Sequence, residues 1–476
     1  LFMFWNLGSI FFLLLLANGG TDAHPTRPES LISVTLTKVH LHDSANEHPV
    51  ISHQRAVNRG LRRYARMTGN PEPTIGELRK NMIDRVLTIP PAELEKRFYR
   101  GGVNMILEYL NLNRSNLLAG THSAGNHAQS LDTTVGSTSG SGSISLAIEG
   151  HDLGYMGIFE IGTPPRKFQL LVDSGSADLW VGAEGCQADD GGSCGNHSFL
   201  GPNSSSTYKD LNQTWSIQYG TGAVTGRVVQ DSISIAGLNL PAKQFGVALN
   251  ESSDFTSDFI PFDGLLGLCK WNILSRQGVP TLVDDLYSAG LIPQPITSYK
   301  LPRFADNKND GELTFGGMDP SKFDVNTLVT VKNKSRLGFW EAALDSVHVN
   351  GVDMGWTNRT LILDTGTTLI IAPAKATALH GAIPDAKKDG NTWTVPCTLT
   401  TPVVFTIGGM KFPMNPRDIA FVPVDQNNAT GTCMSGISEG NPGLVDTQWL
   451  IGDVFLKNVY MSTNVATDEI SLAIPT

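Results

Sequence analysis

Two short acidic motifs, each at the end of an apolar run, carry the residues best suited to chemistry. Leu170–Val172 is followed by Asp173, a hydroxyl residue, a glycine and a second hydroxyl residue, and Leu361–Leu363 is followed by Asp364 and the same pattern 191 residues later. The glycine permits a tight turn and close approach of another backbone, while hydroxyls can hydrogen-bond a buried carboxylate that is otherwise costly to desolvate. One such motif arises easily by chance in a chain this rich in Gly, Ser and Thr. Two in matching contexts indicate a functional pair.

Two carboxyl groups in one cleft would share a proton, because like charges at about 3 Å repel strongly in a poorly hydrated site. The charged member can then deprotonate a water, while the protonated member supplies a proton to the substrate carbonyl oxygen. The pair therefore predicts amide hydrolysis by activated water, without a covalent intermediate. Since the two groups titrate as a unit, the sequence does not assign the proton to either aspartate.

From about residue 150 onward the sequence consists of short β runs separated by Gly, Pro, Asn and Asp. The elements that position these aspartates are therefore expected to be β-strands. An internal repeat is visible: each acidic motif is followed, at similar spacing, by a second apolar signal, Asp263–Gly267 in the first half and Trp449–Asp453 in the second. The clearest helical candidates are Thr281–Ala289 and Pro373–Ile383. The sequence predicts two related β lobes, each contributing one carboxylate.

The charge is distributed unevenly along the 476 residues. Residues 24–150 carry a net charge of +3 and residues 151–476 a net charge of −12. A basic segment ahead of an acidic body suggests electrostatic docking of one on the other, although a solvated helix face is the ordinary explanation of the arginine cluster in residues 51–67. Nucleic acid is not expected as a partner of a body with this sign.

The amino-terminal segment, residues 1–23, has the apolar core and small residues of a signal peptide. A membrane anchor is the alternative, but about 15 apolar residues broken by Asn6 and Gly8 are short for one. Residues 24–118 are then expected to form a mixed, partly helical segment, and residues 119–149 a flexible linker suited to proteolytic maturation. The first lobe is predicted over 150–322 and the second over 323–476.

The cysteines and sequons favour a secreted glycoprotein. Cys186 is expected to pair with Cys194 and Cys397 with Cys433, which leaves Cys269 as a buried, inert thiol. No Cys/His spacing indicates a metal site, and no cofactor is expected. The candidate glycosylation sites are Asn196, Asn203, Asn212, Asn250, Asn333, Asn358 and Asn428.

From about residue 150 to the end, the chain resembles a pepsin-like aspartic endopeptidase of the secreted fungal type. The resemblance rests on ordered motifs that cover about two thirds of the sequence. They are Glu160–Pro165, Asp173–Val181, Tyr219–Gly222, Phe262–Leu268, Phe315–Gly317, Phe339–Trp340, Asp364–Thr368 and Leu450–Asp453. Ser174 stands where the first lobe of such enzymes more often has Thr, and Phe339 where many have Tyr. The resemblance implies a mainly β, bilobal fold with the active-site cleft between two pseudo-symmetric lobes.

By this resemblance Asp173 and Asp364 are the catalytic pair, and Tyr219 lies on a hairpin flap with its hydroxyl towards Trp180. Phe262 and Leu265 would line the pocket before the scissile bond, although core packing explains both equally well. The complete set of implied substrate-binding residues is Gly175, Ser176, Trp180, Tyr219, Gly220, Thr221, Phe262, Leu265, Gly366, Thr367 and Thr368.

The resemblance also implies a zymogen in which the basic segment covers the cleft at neutral pH and leaves on acidification. Arg62, Arg63 and Lys80 are the candidates to reach the dyad. The expected partners are protein and peptide substrates and the chain's own prosegment; the protein is expected to be a monomer without a membrane anchor. It would be secreted, or kept in an acidic vacuole. The alternative function is a catalytically inactive binding or inhibitor protein on the same fold.

Overall fold

The computed structural model describes residues 31–35, 48–89, 146–149, 154–219, 222–256, 260–306, 310–390, 392–425, 427–440 and 447–476. The predicted signal peptide and most of the predicted linker lie outside these residues. No helix in the described ranges is both long and apolar enough to cross a membrane.

Strands dominate the described chain, and twelve of them precede residue 323. They are β1 (Ile32–Thr35), β2 (Leu146–Glu149), β3 (Gly154–Ile161), β4 (Arg166–Asp173), β5 (Leu179–Ala188), β6 (Phe199–Leu200), β7 (Lys209–Gln218), β8 (Ala223–Ile235), β9 (Leu238–Glu251), β10 (Gly264–Gly267), β11 (Ile296–Lys300) and β12 (Glu312–Phe315).

Sixteen further strands follow in the second half of the described chain. They are β13 (Val329–Lys332), β14 (Glu341–Leu344), β15 (Ser346–Val349), β16 (Val352–Asp353), β17 (Arg359–Leu363), β18 (Ile370–Ala372), β19 (Lys387–Asp389), β20 (Thr392–Pro396), β21 (Val403–Ile407), β22 (Met410–Met414), β23 (Ala420–Pro423), β24 (Thr432–Ser435), β25 (Ile437–Glu439), β26 (Gln448–Ile451), β27 (Tyr460–Asn464) and β28 (Glu469–Ala473).

The first lobe is built on one nine-stranded sheet in the order β2-β3-β4-β10-β5-β9-β8-β7, with β6 beside β5. Strand β2 corrects the prediction of a flexible linker up to residue 149, because Leu146–Glu149 pairs antiparallel with β3. The run Leu-Ala-Ile-Glu has enough strand-forming character to extend the sheet once the edge of β3 offers its unpaired backbone groups.

The second lobe contains three smaller sheets, β14-β17-β26-β18-β25, β16-β15-β21-β22 and β19-β20-β24-β23. A run predicted as one strand, Ala342–Val349, is divided at Asp345 into β14 and β15, which belong to different sheets. The Asp345 backbone N–H already donates to the Thr406 carbonyl of β21 (2.8 Å), so the chain changes from pairing with β17 to pairing with β21 at this residue.

A six-stranded sheet, β1-β12-β11-β27-β28-β13, joins the two halves of the chain. Its strands come from both sides of the boundary predicted at residues 322 and 323, so the lobes share a base. Strand β1 comes from the predicted prosegment and pairs with β12 in the register Ile32↔Phe315 to Thr35↔Glu312.

The internal repeat places the two acidic motifs in equivalent positions. Strand β4, which ends at Asp173, pairs in parallel with β10, and β17, which precedes Asp364, pairs in parallel with β26. The Asp263–Gly267 and Trp449–Asp453 segments therefore supply the neighbouring strand of each strand that leads to an aspartate. Val172, Leu266, Leu363 and Ile451 are each 0% exposed, so apolar packing fixes where each chain turns.

Two helices, α1 (Pro49–Thr68) and α2 (Ile75–Val86), lie in the predicted prosegment. Helix α1 has a proline in its first turn and ends at Gly69, which adopts φ +70°. A capping box between Thr74 and Glu77 begins α2. Shorter α-helices occupy Ser253–Thr256, Trp271–Leu274, Leu282–Ser288, Pro416–Ile419 and Asp453–Leu456, and 3-10 segments occupy Phe304–Asp306, Pro320–Lys322, Val325–Thr327 and Ala374–Ala382.

Candidate active site

The carboxylates of Asp173 and Asp364 are held in the same way by their own loops. The Gly175 backbone N–H donates to Asp173 Oδ1 (2.9 Å) and the Ser176 hydroxyl donates to Oδ2 (2.6 Å). The Gly366 N–H donates to Asp364 Oδ1 (3.0 Å) and the Thr367 hydroxyl to its Oδ2. Each carboxylate thus has one oxygen fixed by a hydroxyl and one bonded to the glycine two residues on.

The two loops also bind each other through the residues that follow the aspartates. The Ser174 N–H donates to Thr365 Oγ1 (3.0 Å), and the Thr365 N–H donates to Ser174 Oγ (2.9 Å). Each hydroxyl then donates across the interface, Ser174 Oγ to the Leu363 carbonyl (3.0 Å) and Thr365 Oγ1 to the Val172 carbonyl (2.7 Å). Because all four groups are buried and paired, this network fixes the two lobes relative to each other at the dyad.

Glycine is required two residues after each aspartate because the opposite loop comes so close. A Cβ atom on Gly175 would overlap Asp364 Oδ1, and a Cβ atom on Gly366 would overlap Asp173 Oδ1. The inner oxygens of the two carboxylates therefore face each other over the two glycines. Both aspartates are 0% exposed. The structure brings together the two residues that the sequence pattern paired.

Arg63 from helix α1 bridges the two carboxylates. Its Nη2 donates to Asp364 Oδ1 (2.8 Å) and to Asp173 Oδ1, and its Nε approaches Asp364 Oδ2 as an ion pair whose N–H is not directed at the oxygen. Of the other two candidates, Arg62 approaches Glu72 (3.8 Å) and Lys80 pairs with Asp84 on the surface. The structure thus selects Arg63.

Burial raises the pKa of the Asp364 carboxyl to about 6. The Arg63 guanidinium opposes this rise, and the neighbouring Asp173 charge adds to it. The same two carboxylates raise the pKa of Arg63 against the effect of its burial. A pair with one neutral and one charged carboxyl group is the state in which one group can donate a proton while the other accepts one.

Tyr219 is the described end of the predicted flap, directly after β7. Its hydroxyl accepts a hydrogen bond from Trp180 Nε1 (2.9 Å), and both rings pack edge-on against Phe255. Trp180 is 1% exposed, so it positions Tyr219 and offers little surface to a substrate. Gly220 and Thr221 lie outside the described residues.

The predicted pocket residues Phe262 and Leu265 are both buried in the cluster around Tyr219 and Trp180. Thr368 is buried as well, and its carbonyl accepts the Val454 N–H (3.0 Å). Phe255 joins this cluster and was missed by sequence reasoning, because nothing in its own motif marks it. Its contacts with the two aromatic rings come from a distant part of the chain.

Asp178 is a second residue that was not assigned a role, although it lies in the first acidic motif. It is 3% exposed and accepts hydrogen bonds from the Arg276 N–H (2.9 Å), the Gln277 N–H (3.0 Å) and the Ser275 hydroxyl. The catalytic loop therefore holds the loop after Trp271–Leu274 in place. A second acidic residue five positions after Asp173 was the available signal.

The disulfides Cys186–Cys194 and Cys397–Cys433 are both formed. Cys269 is free and buried, donates its thiol hydrogen to the Ser174 carbonyl (2.8 Å), and has a pKa raised mainly by burial. In the described chain, one cluster has metal-ligand residue types, Cys186, Cys194 and Glu251, but both its thiols are in the disulfide.

Six of the seven candidate glycosylation residues are exposed, and Asn333 is the exception. Its side-chain nitrogen donates to the Phe339 carbonyl (2.9 Å) and to Asp468 Oδ1 (2.9 Å), while its oxygen accepts from the Ser335 and Glu341 backbones. An amide nitrogen that already uses both hydrogens inside the fold is a poor acceptor for a glycan.

Comparison with known proteins agrees with this geometry. Residues 154–474 match the model of the eukaryotic aspartyl protease family. The chain is similar to the probable aspartic-type endopeptidase CTSD of Arthroderma benhamiae, with 35% identity over 328 residues, which cover 68% of this chain and 62% of that protein. It is also similar to rhizopuspepsin of Rhizopus chinensis, with 35% identity over 339 residues (70% and 81%), and to pepsin-2B of Gadus morhua, with 32% identity over 330 residues (68% and 96%).

The chain therefore belongs to the eukaryotic aspartyl protease family and has the bilobal pepsin-like fold. It spans about three fifths of the length of the first relatives it matches.

Proposed function

We propose that this protein hydrolyses internal peptide bonds of proteins at acidic pH, using water activated between Asp173 and Asp364. The observation that carries the proposal is the arrangement of two buried carboxylates whose inner oxygens converge on one nitrogen, Arg63 Nη2. In the active enzyme a water would take the position of that nitrogen. The charged carboxylate would remove a proton from the water as the neutral one protonates the carbonyl oxygen of the substrate.

The substrate would lie in the groove that α1 now fills, as an extended strand under the flap that contains Tyr219, Gly220 and Thr221. Gly175, Ser176, Gly366 and Thr367 would border it from the two loops. The buried aromatic cluster with Phe262 and Leu265 supports a preference for apolar residues around the scissile bond.

The activity is tested with the purified full chain after acidification. Digestion of casein and haemoglobin is expected between about pH 3 and 5 because a shared-proton pair must be singly charged. A statine-type transition-state mimic and the substitution Asp173→Asn should each abolish it, whereas Asp190→Asn in an exposed loop should not. A folded, acid-processed protein that leaves both substrates intact throughout this range would refute the proposal.

We also propose that residues 24–118 act as an intramolecular inhibitor. Arg63 neutralises the dyad while Tyr64 donates to the Gln448 carbonyl (2.9 Å) and Arg85 pairs with Asp389 of the second lobe. Protonation of the carboxylates removes the attraction for these arginines, so acid should release the segment. The body would then be a secreted or vacuolar monomer that acts on protein substrates.

Neighbouring arginines provide a matched test of this inhibition. Arg63→Met leaves the dyad without its bridging cation and should expose the cleft to a small fluorogenic peptide at pH 6, whereas Arg62→Met should not. Equal protection of the cleft in both variants would exclude Arg63 as the inhibitory contact.

A further inference from the structure

A cavity of about 660 Å³ lies between the end of helix α1 and strand β7, which leads to Tyr219. Its prosegment side includes Ala65 and Arg66, directly after Arg63 and Tyr64 on helix α1, and Glu72 beyond the helix. Its other side includes Ser216–Gln218, which lead into Tyr219, and Arg276. Because α1 forms one side of it, the cavity would open into the proposed substrate groove when α1 departs.

Arg276 is presented by a loop that is rigidly attached to the catalytic machinery. Its backbone N–H and that of Gln277 donate to the buried Asp178 carboxylate (2.9 and 3.0 Å). Gln277 also donates from its side chain to the Leu179 carbonyl (2.9 Å), and its carbonyl accepts from Gln213 of strand β7 (2.7 Å). The loop backbone that carries Arg276 should therefore keep its position when the prosegment leaves.

The charged prosegment residues that line the cavity, Arg66 and Glu72, neutralise each other and not Arg276. Glu72 accepts two hydrogen bonds from Arg66 (2.6 and 2.7 Å) and approaches Arg62 (3.8 Å). Arg276 is exposed, and within the described residues its guanidinium has no carboxylate partner. Loss of the prosegment removes the only carboxylate among the residues that line the cavity, Glu72, together with Arg66, and leaves Arg276 on the wall of the groove.

We propose that Arg276 binds the carboxylate of an aspartate or glutamate side chain of the substrate, and thereby makes the groove on this side of the dyad selective for acidic residues. The proposal rests on the endopeptidase function proposed above. A guanidinium offers a planar pair of donors that matches a carboxylate, and the neighbouring flap strand would hold the peptide backbone within reach. The preference is specific to one position of the substrate, because Arg276 occupies one place along the groove.

Paired peptides test this assignment in the full chain after acidification. Each pair carries Glu or Gln at one of the three positions on either side of the cleaved bond, with the remaining sequence unchanged. At one position, kcat/KM for the Glu peptide at pH 5.5 should exceed that for the Gln peptide about fivefold, as for a partly exposed ion pair. The ratio should approach one at pH 3, because the substrate carboxyl, with an ordinary pKa of about 4.3, is then neutral.

Arg276→Gln should reduce the ratio at pH 5.5 to about one without changing kcat/KM for the Gln peptide, and Arg276→Lys should retain part of it. Lys411→Gln, which removes the same charge from the exposed face of β22, should leave the ratio unchanged.

Cleavage of Gln peptides with no Glu preference at any position would overturn the role of Arg276 and leave the endopeptidase function standing. A Glu preference that survives in Arg276→Gln would overturn it too, whereas failure to cleave any peptide would refute the endopeptidase function itself.

Discussion

The two loops that carry Asp173 and Asp364 are almost equivalent around the carboxylates. The residues packed beyond the carboxylates are very different in the two lobes. Asp173 and Asp364 each receive a glycine N–H and a hydroxyl, and Ser174 and Thr365 exchange matching hydrogen bonds across the interface. Beyond this layer, the first loop supports a tyrosine on a flap, while no tyrosine occurs in the sequence between residues 300 and 459. In the proposed function the symmetric pair of carboxylates would perform the chemistry, and the asymmetric part would orient a substrate that has a direction.

The second asymmetry concerns helix α1 of the predicted prosegment, which packs mainly against strands of the second lobe. Helix α1 contacts β18, β23 and β26, and Gly60 lies so close to Ile371 that a Cβ atom there would overlap its side chain. His53 is completely buried and bonded through Nε2 to the Ser435 carbonyl (2.9 Å). The first lobe is contacted by Arg63 of this helix, which binds Asp173, and by β1, which pairs with β12. Release of the segment should therefore depend on the second lobe.

Substitution of either aspartate of the symmetric pair should cause the largest loss of activity. Asp173→Asn and Asp364→Asn should each lower kcat/KM by about 10³-fold or more, to the same extent, because either change destroys the shared-proton unit. The double variant should lose no further activity. Peptide cleavage at pH 4 measures all three. Substantial activity in one single variant would mean that the two carboxylates do not act as a unit.

The network between the loops should be the next most sensitive feature. Ser174→Ala and Thr365→Val each leave two buried backbone partners without a hydrogen bond, at a cost of about 2–4 kcal/mol in the free energy of unfolding. The double variant should cost less than the sum, because both substitutions break the same network. Denaturant unfolding at pH 6 provides the measurement. Additive effects would show that the two hydroxyls act independently.

The flap hydroxyl tests the asymmetric part. Tyr219→Phe leaves the Trp180 N–H without its partner, so kcat/KM should fall about tenfold while the dyad stays intact. Tyr155→Phe removes another buried hydroxyl of the same sheet, which donates to the Pro302 carbonyl (3.0 Å), and should have little effect on kcat/KM. An equal loss of activity in both variants would indicate general destabilisation of the first lobe.

The smallest expected effect concerns acid release from the second lobe. Burial lowers the pKa of His53 from 6.5 to about 4. The hydrogen bond to the Ser435 carbonyl raises this pKa, and the charge of Arg85 lowers it further. The released segment therefore binds a proton more readily, so docking weakens by about 1.4 kcal/mol for each unit that the pH falls from 6.5 towards 4. Below about pH 4 the effect is complete.

His53→Gln removes this dependence, and the pH midpoint of prosegment release should fall by about half a unit. Prosegment release is monitored by measuring peptide cleavage as the pH is lowered. His348→Gln, on strand β15, is the matched control and should leave the midpoint unchanged. An unchanged midpoint in His53→Gln would assign acid sensitivity to the carboxylates alone.

Local patterns accounted for much of the fold and for the centre of the site. The strand predicted over Ala223–Ile235 has the observed bounds, and the helix predicted over Thr281–Ala289 is observed over Leu282–Ser288. Apolar alternation and turn residues are local properties, so they are visible in one stretch of sequence. The end of the predicted linker was wrong because β2 depends on an edge that lies elsewhere in the chain.

The sequence by itself determined the paired aspartates, the hydroxyls and glycines beside them, and the repeat that supplies a neighbouring strand to each, because all of these lie within short motifs. The tertiary structure decided which arginine of an adjacent pair points into the cleft, that Phe255 supports the flap, that Asp178 holds the loop of Arg276, and that the Asn333 amide is already bonded. These contacts join residues far apart in the chain. They depend on how whole strands and helices bury their apolar faces together, which no local pattern records.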